Sequence, residues 1–348
     1  MRYLKQQGKL LYILSLLMII LFVACSSSPT PHTSNKHDAI EALNVQKKHS
    51  ISTPVGSLFY TYLGHTAMVF GVTWSPNAKR IASASLDGTV QVWDAGTGKH
   101  VMVYHGHQGP VFTVRWSPDG EYLASSGYDS TVQIWNASTG KVLRIYRGHT
   151  ALVSAASWSP DGKYIASGGD DGTVQVWSVA TGKELLMHSD NPGHVTAVEW
   201  SPDGKRLAVA SDNGTVQVLD ATSGQVLVTY KRHTAGVWAV TWSPDGKRIA
   251  SGSGDHTVQV WNAKTGQQLI IYRGHNSYIH EVAWSPDGKY IASGGYDHSV
   301  QVWNPNTGNI VTTYLGHTDV IVSIAWSANA SRIASTGFDK TVQVWEAE

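Results

Sequence analysis

The stretch Ser57–His65 reads SLFYTYLGH, and its closing pattern returns later in the chain. The segments HVMVYHGH (100–107), VLRIYRGH (142–149) and NIVTTYLGH (309–317) also end in a tyrosine, one further residue and a Gly-His pair. Nothing resembling the rest of a repeat precedes residue 57. At the other end, TVQVWEAE (341–348) stops where another such segment would be expected. The repeats therefore begin with a fragment and end without the same fragment.

The repeat has a period of 42 residues, which two series of tryptophans mark. One series is Trp93, Trp135, Trp177, Trp261, Trp303 and Trp345, with Leu219 at the remaining position. The other is Trp74, Trp116, Trp158, Trp200, Trp242, Trp284 and Trp326. Apolar and polar residues alternate within each unit, as in TVQVW and YIAS, and SPDG, DG or DH, and TG separate the alternating runs. Each unit therefore predicts four short antiparallel strands, and seven units predict an all-β, seven-bladed β-propeller.

A ring explains the fragment at residue 57. Tyr62 belongs to a third series with Tyr104, Tyr146, Tyr230, Tyr272 and Tyr314. Residues 57–63 are then an outermost strand without a blade, while the last blade ends after its third strand at Trp345. Because an open ring would leave two unpaired edges, we predict that the N-terminal strand 57–63 completes the last blade.

These motifs resemble the WD-repeat family of β-propellers. The Gly-His pair near the start of each unit and the Trp93-Asp94 dipeptide at the end of the first unit carry the resemblance, and all seven units in 57–348 are covered. One copy would mean little, but the pattern recurs in register. We therefore assign 57–348 to the propeller domain.

The first 56 residues differ in composition from the propeller. Arg2, Lys5 and Lys9 lead into the apolar run 10–24 and then Cys25, the only cysteine. We read 1–24 as a signal peptide, because the apolar run is shorter than the roughly 20 residues of a membrane span. Cys25 after FVA resembles the lipidation site of bacterial lipoproteins, although Phe22 stands where leucine is usual. The alternative is an uncleaved membrane anchor. Both alternatives place the protein outside the cytoplasm, and the polar residues 25–56 are expected to form a flexible tether.

Histidine, serine and aspartate recur in six of the seven units, together with a tryptophan. These quartets are His65, Ser83, Asp87 and Trp93; His107, Ser125, Asp129 and Trp135; His149, Ser167, Asp171 and Trp177; His233, Ser251, Asp255 and Trp261; His275, Ser293, Asp297 and Trp303; and His317, Ser335, Asp339 and Trp345. A hydrolase triad uses three of these residue types. An active site is needed once, however, whereas a brace is needed in every blade. The family resemblance implies a structural hydrogen-bond chain from indole to hydroxyl, imidazole and carboxylate.

The fourth unit departs from this pattern at all four positions. Alignment places Asn191, Val209, Asn213 and Leu219 there, and the nearby Gly193-His194 pair is three residues out of register. A half-satisfied buried network is worse than an apolar one, so loss of the whole set fits a structural role. Blade four is therefore predicted to be the irregular blade.

The family resemblance implies binding on the face that carries the Gly-His loops and the aspartate turns, and three positions per unit are expected there. We call the histidine of each Gly-His pair, or the aligned Asn191 in unit four, the lattice histidine. Two of the positions lie three and five residues after the lattice histidine, and the third immediately precedes the quartet aspartate or the aligned Asn213. From these positions we predict a partner-binding surface of Met68, Phe70, Leu86, Phe112, Tyr128, Asp170, His194, Asp212, Trp238, Tyr278, His280, Tyr296 and Phe338. Aromatic residues take seven of the 21 positions, although they make up only 10% of the chain. The alternative is that some of these rings turn into the central channel as core.

The surface contains no Lys or Arg, and the chain carries 26 basic against 25 acidic side chains, so nucleic acid is not an expected partner. No cysteine pair or HExxH spacing predicts a metal site, and no glycine-rich loop predicts a phosphate-binding cofactor.

We expect a non-catalytic, monomeric scaffold at an extracytoplasmic membrane surface, which binds a protein or peptide through the aromatic face. The alternative is a glycan-binding module, with rings stacked on sugars. An enzyme using Asp170, His194 or Asp212 is a third interpretation.

Overall fold

A computed structural model describes residues 54–190 and 193–347, and every regular element in these ranges is a β-strand. The predicted signal peptide, Cys25 and nearly all of the predicted tether lie outside the described residues. Within those ranges, no helix has the length and apolar character that a membrane crossing requires.

The 28 strands have the following bounds. The first three blades and the strand before them are β1 (Leu58–Tyr62); β2 (Val69–Trp74), β3 (Arg80–Ser85), β4 (Val90–Asp94) and β5 (His100–Tyr104); β6 (Val111–Trp116), β7 (Tyr122–Gly127), β8 (Val132–Asn136) and β9 (Val142–Tyr146); and β10 (Val153–Trp158), β11 (Tyr164–Gly169), β12 (Val174–Ser178) and β13 (Glu184–His188). Blades four to seven are β14 (Val195–Trp200), β15 (Arg206–Ser211), β16 (Val216–Asp220) and β17 (Val226–Tyr230); β18 (Val237–Trp242), β19 (Arg248–Ser253), β20 (Val258–Asn262) and β21 (Gln268–Tyr272); β22 (Ile279–Trp284), β23 (Ile291–Gly295), β24 (Val300–Trp303) and β25 (Ile310–Tyr314); and β26 (Ile321–Trp326), β27 (Arg332–Gly337) and β28 (Val342–Glu346).

The strands form seven antiparallel four-stranded sheets, as predicted. Six sheets use four consecutive strands, and the seventh has the order β1-β28-β27-β26. The predicted closure is therefore confirmed: Tyr62 pairs with Val342, and Leu58 pairs with Trp345. The pairing continues to Gly56, whose N–H donates to the carbonyl of Glu346 at 2.7 Å. The ladder thus reaches one residue into the range assigned to the tether.

Buried apolar residues lie between the blades as well as within them. The cluster at the closing seam contains Tyr62 and Val342 from blade seven together with Val69, Trp74 and Trp93 from blade one. Similar clusters lie at the other seams. Each sheet therefore buries both faces against neighbours, and a blade is not an independent folding unit.

Each innermost strand has a register shift at its start. In β2 the shift falls between Val69 and Gly71, so Phe70 is the extra residue opposite β3. The corresponding shift occurs in the other six innermost strands. A β-bulge redirects the side chain at the extra position. Phe70, Trp238 and His280 occupy this position in blades one, five and six, and each contacts the next blade around the ring, as described below.

Candidate functional site

The histidine, serine and aspartate of each quartet are brought into contact in all six blades. In blade one, Nδ1 of His65 lies 2.8 Å from a carboxylate oxygen of Asp87, and Nε2 lies 2.7 Å from Oγ of Ser83. The corresponding distances in the other five blades are 2.7–3.0 Å and 2.8 Å. In every copy the histidine therefore links the loop before the innermost strand to the second strand and the following turn.

The indole completes this chain in four blades. Nε1 of Trp135, Trp261, Trp303 and Trp345 donates to the quartet serine at 3.1–3.3 Å. Blade one differs because β1 supplies Tyr60, whose hydroxyl accepts from Trp93 at 3.0 Å. In blade three, Nε1 of Trp177 has no hydrogen-bond partner among the described residues, and nothing in the structure explains this. The four-member chain implied by the resemblance is thus complete in blades two, five, six and seven.

The carboxylates of the quartets are held in the charged form. Burial alone would raise the pKa of Asp87, but hydrogen bonds from His65 and Thr89 outweigh burial and lower it to about 2. The same balance lowers the pKa of Asp297 to about 2. The backbone N–H of Thr66 also donates to Asp87. These contacts occupy the carboxylate with structural partners.

A second recurrent contact crosses from each blade to the next. The hydroxyl of Tyr62 donates to Oε1 of Gln91 at 2.7 Å, and burial raises the pKa of this phenol to about 12. A Cβ on Gly64 would collide with both groups, which explains the glycine of the Gly-His pair. The tyrosine–glutamine bond recurs at Tyr104–Gln133, Tyr146–Gln175, Tyr230–Gln259, Tyr272–Gln301 and Tyr314–Gln343. These glutamines lie in TVQVW and its variants but were not predicted as bracing residues.

Blade four replaces the quartet with apolar packing. Val209 and Leu219 are buried, and Asn213 is exposed and accepts hydrogen bonds from Thr215. Asn191 lies outside the described residues. His188 takes the tyrosine position, with Nε2 3.3 Å from Gln217.

His194 joins blades three and four. Its Nδ1 lies 2.8 Å from the carbonyl oxygen of Asp170 and 3.7 Å from the carboxylate of the same residue. The backbone N–H of His194 donates to the carboxylate of Asp212 at 2.9 Å. Asp170, His194 and Asp212, which were predicted for the face in blades three and four, therefore lie together. We call Asp170, His194 and Asp212 the acidic sector.

The predicted partner-binding residues differ in exposure. Tyr128, Tyr278 and Tyr296 are exposed by 51%, 46% and 37%. The other ten are half-buried, namely Met68, Phe70, Leu86, Phe112, Asp170, His194, Asp212, Trp238, His280 and Phe338. Part of the predicted face is therefore open to solvent and part is engaged in packing.

The half-buried rings contact one another around the ring of blades. Phe70 lies edge-on to Phe112 and to Phe338, with centroids 5.4 Å and 6.2 Å apart. Trp238 lies parallel to His280 at 6.4 Å. Nδ1 of His280 is 3.0 Å from the carbonyl oxygen of Val322, and burial lowers the pKa of this imidazole. The position five residues after the lattice histidine thus braces neighbouring innermost strands, which corresponds to the channel-lining alternative for these side chains.

Three charged side chains on alternate blades meet near the axis. Arg115, Glu199 and Glu281 lie on β6, β14 and β22, which belong to blades two, four and six. Burial raises the pKa of each glutamate to about 7, and Arg115 partly offsets that effect in both. Side chains from non-adjacent blades can interact in this way only near the centre of the ring. Sequence reasoning missed this group because single charges within strands carry no repeat signal.

No cluster of three or more His, Cys, Asp or Glu side chains suited to a metal ion occurs in residues 54–190 and 193–347.

The comparisons with known proteins agree with the fold. The model for the WD domain, G-beta repeat, matches residues 56–94, 98–136, 140–178 and 308–346. The model for the second beta-propeller of echinoderm microtubule-associated protein matches 165–314. The Drosophila melanogaster Protein HIRA homolog is 48% identical over 42 residues, which are 12% of this chain and 4% of that protein.

Proposed function

Because this chain is a WD-repeat propeller, we propose that it is a non-catalytic scaffold that binds a protein or peptide on its Gly-His face. We define this face as the end of the propeller formed by the loops with the lattice histidines and the turns with the quartet aspartates. WD-repeat propellers are typically non-enzymatic and commonly bind proteins or peptides. A shared fold alone does not identify a function, which depends on the residues at the surface.

The observation that carries the proposal is the exposure of large rings on this face. Tyr128, Tyr278 and Tyr296 are each more than one-third exposed. Tyrosine gives a large, rigid contact area and a polar tip, and it is enriched among the residues that dominate binding energy at interfaces. Exposed clusters of such side chains mark interaction sites more often than scattered apolar residues do.

The quartets support a scaffold because their polar atoms are used within the blades. His275, for example, contacts both Asp297 and Ser293, and that serine also accepts from Trp303. The same arrangement recurs around the ring, which is the behaviour of a structural device. The conspicuous His, Ser and Asp residues therefore provide bracing, and the exposed tyrosines are the better candidates for contact with a partner.

The proposal can be tested with variants at opposite parts of the face. The full chain, Tyr128→Ala and the double variant Tyr278→Ala/Tyr296→Ala would each be used for affinity capture from cell-envelope extract and for polysaccharide binding. Loss of a captured protein in one variant, with unchanged polysaccharide binding, supports the proposal. Loss of polysaccharide binding with capture intact would support a glycan-binding module instead.

We further propose that the propeller is tethered to an extracytoplasmic membrane surface through its N-terminal segment. The basic start, the apolar run 10–24 and Cys25 carry this proposal. Mass spectrometry of the mature N-terminus is expected to find a lipid-modified Cys25 as the first residue. Retention of Met1 together with membrane association would support the uncleaved anchor, and a water-soluble full-length chain would contradict both forms of tethering. Cys25→Ala is the matched variant for the lipid.

A further inference from the structure

One corner of the propeller exposes apolar side chains on two adjacent blades. Val55 and the first residues of β1, Leu58 and Phe59, lie on blade seven, and Ile310 and Val311 begin β25 of blade six. Each of the five is more than two-fifths exposed. We call Val55, Leu58, Phe59, Ile310 and Val311 the entry patch, because the described part of the chain enters the propeller at this corner, from residue 54.

The two halves of the entry patch meet at the seam between blades six and seven. A Cβ on Gly56 would lie 3.1 Å from Oγ1 of Thr312, so the entering chain runs against β25. The N–H of Gly56 also donates to the carbonyl of Glu346 at the end of β28. Val55 and Leu58 flank the first of these contacts on one segment, and Val311 adjoins it on the other. The patch therefore forms one surface, and a contiguous exposed apolar surface is typical of an interaction site.

The entry patch differs from the rest of the rim in the charge beside it. The outermost strands of blades one to five also expose an apolar residue at the position of Phe59. The turns before those strands are charged, and they contain Lys99, Lys141, Lys183, Asp220 and Lys264. The turn 304–309 before β25 has no charged residue. The blade-seven turn 327–331 reads SANAS, whereas blades two to six have SPDG followed by Lys or Glu. The patch therefore adjoins two uncharged turns.

Two charged side chains lie beside Phe59 and pair with each other. Nε of Arg332 donates to a carboxylate oxygen of Glu346 at 3.0 Å, and the guanidinium lies 3.7 Å from the centroid of the Phe59 ring. An ion pair costs less to bring near an apolar medium than a single charge does. Toward blade five, Arg248 donates to Asn306 at 2.8 Å. The corner thus combines apolar side chains with charges that already have partners.

We propose that the entry patch docks on the lipid bilayer that holds the N-terminal segment, with its apolar side chains in the interfacial region. Residues 26–53 link Cys25 to this corner, so the patch is the part of the propeller nearest to the proposed anchor along the chain. A linked second contact is intramolecular, so a modest affinity is sufficient for docking. Apolar side chains that enter the boundary between headgroups and acyl chains strengthen membrane binding. This inference rests on the proposed tether and names the surface of the propeller that meets the membrane.

Docking at the entry patch leaves the Gly-His face accessible. β1 begins at Leu58 in the patch and ends at Tyr62, just before the Gly64-His65 pair. The outermost strand therefore runs from the patch toward the Gly-His face. With the start of β1 at the membrane, the face that carries Tyr278 and Tyr296 lies at the end away from the bilayer. A protein partner can then bind there while the propeller stays docked.

Photochemical crosslinking of the full chain to lipid tests this inference. The chain is reconstituted in vesicles of phosphatidylethanolamine and phosphatidylglycerol that contain a small fraction of lipid with a diazirine in its acyl chain, and mass spectrometry locates the crosslinks. We expect crosslinks in β1 and β25 to be at least about tenfold more frequent than in β17 and β21, because burial of a single Leu or Ile side chain favours contact by about that factor or more. β17 and β21 are the matched strands, since their Leu227 and Leu269 are similarly exposed and also lie on adjacent blades.

Paired substitutions distinguish docking from tethering. Leu58→Asn/Ile310→Asn should reduce the lipid crosslinks in β1 and β25 to the level of β17 and β21. Leu227→Asn/Leu269→Asn is the control and should leave them unchanged. Both double variants should still float with the vesicles, because Cys25 and the apolar run 10–24 are intact. Thermal melting of the three proteins checks that each is folded.

Crosslinks spread evenly over the outermost strands, or confined to residues 1–53, overturn the inference and leave the tether in place. Crosslinks on Tyr278 and Tyr296 in place of the patch also overturn it. A dimer of the full chain in detergent that Leu58→Asn/Ile310→Asn dissociates would assign the patch to a second copy instead. A native chain that does not float with the vesicles would overturn the tether and this inference together.

Discussion

The ring of Tyr62 stacks on the indole of Trp93, with centroids 3.9 Å apart and planes 4° apart. Tyr62 belongs to the strand that completes blade seven, and Trp93 belongs to blade one. Five equivalent stacks link other neighbouring blades: Tyr104–Trp135, Tyr146–Trp177, Tyr230–Trp261, Tyr272–Trp303 and Tyr314–Trp345. The seam that joins the two ends of the domain is thus built like the seams within it.

Two substitutions of Tyr62 should distinguish the contribution of the ring stack to stability from that of the hydrogen bond to Gln91. Tyr62→Ala removes a buried ring and should lower the free energy of unfolding by about 3–5 kcal/mol. Tyr62→Phe keeps the ring but leaves Gln91 without its donor, so the loss should be about 1–3 kcal/mol. Chemical denaturation measures both values. Tyr104→Ala, at an internal seam, is the matched control, and a much smaller effect of Tyr62→Ala would mean that the closing seam contributes little.

Removal of one quartet hydroxyl should destabilise its blade. In Ser293→Ala, His275 and Trp303 lose a buried partner, so the free energy of unfolding should fall by about 1–3 kcal/mol. Asn213→Ala in blade four is the control and should cost less than Ser293→Ala, because Asn213 is exposed and accepts only from Thr215 in its own turn. Equal effects of the two substitutions would contradict the structural role of the quartets.

The axial glutamates should make stability depend on pH. Their folded pKa values of about 7 lie above the ordinary 4.5, so their contribution is full below pH 4.5 and is lost as the pH rises through 7. We expect the melting temperature of the native chain to fall over this interval. The double variant Glu199→Gln/Glu281→Gln should show a flatter profile and a higher melting temperature at pH 8. Identical profiles for the two proteins would refute this assignment.

The quartet aspartates titrate in the opposite sense. The pKa values of Asp87 and Asp297 are lowered to about 2, so their stabilisation is full above the ordinary 3.8 and is lost as the pH falls toward 2. Asp297→Asn should therefore reduce the acid dependence of unfolding below pH 4, and it should leave the interval from pH 4.5 to 7 unchanged. Denaturant titrations at pH 2.5, 4, 5.5 and 7 would separate the two groups, and an effect confined to the upper interval would contradict the assignment.

The exposed tyrosines should be dispensable for folding. Because Tyr128, Tyr278 and Tyr296 are 51%, 46% and 37% exposed, alanine at each should lower the free energy of unfolding by only about 1 kcal/mol. Phe112→Ala should cost more, because this ring packs on Phe70. Differential scanning calorimetry gives the comparison. A large loss at Tyr278 would assign that ring a packing function in place of a binding one.

The architecture could be predicted because each blade repeats one pattern in register. The tryptophan series defined seven units, and the unmatched segment before Gly64 indicated where the ring closes. Trp93 and its counterparts, which the resemblance assigned to the quartets, are each fully buried. The same residue types recur at the same positions because the side chains of every blade pack in the same way.

Contacts between blades were harder to predict. The tyrosine and tryptophan series were both visible, but a one-dimensional period does not show that Tyr62 stacks on the tryptophan of the following blade. The bulge at Phe70 also turns a position assigned to the face toward the next strand, so the exposed part of the surface is narrower than the pattern suggests.

The most direct test of ring closure is the thermal unfolding of a full chain that lacks residues 54–63. The missing strand leaves β28 with an unpaired edge and Trp93 without its stacked ring, so the melting temperature should fall sharply. Addition of a synthetic peptide with the sequence of residues 54–63 should restore part of the loss, whereas a peptide with Tyr60 and Tyr62 replaced by Ser should not. An unchanged melting curve for the shortened chain would contradict closure by the N-terminal strand.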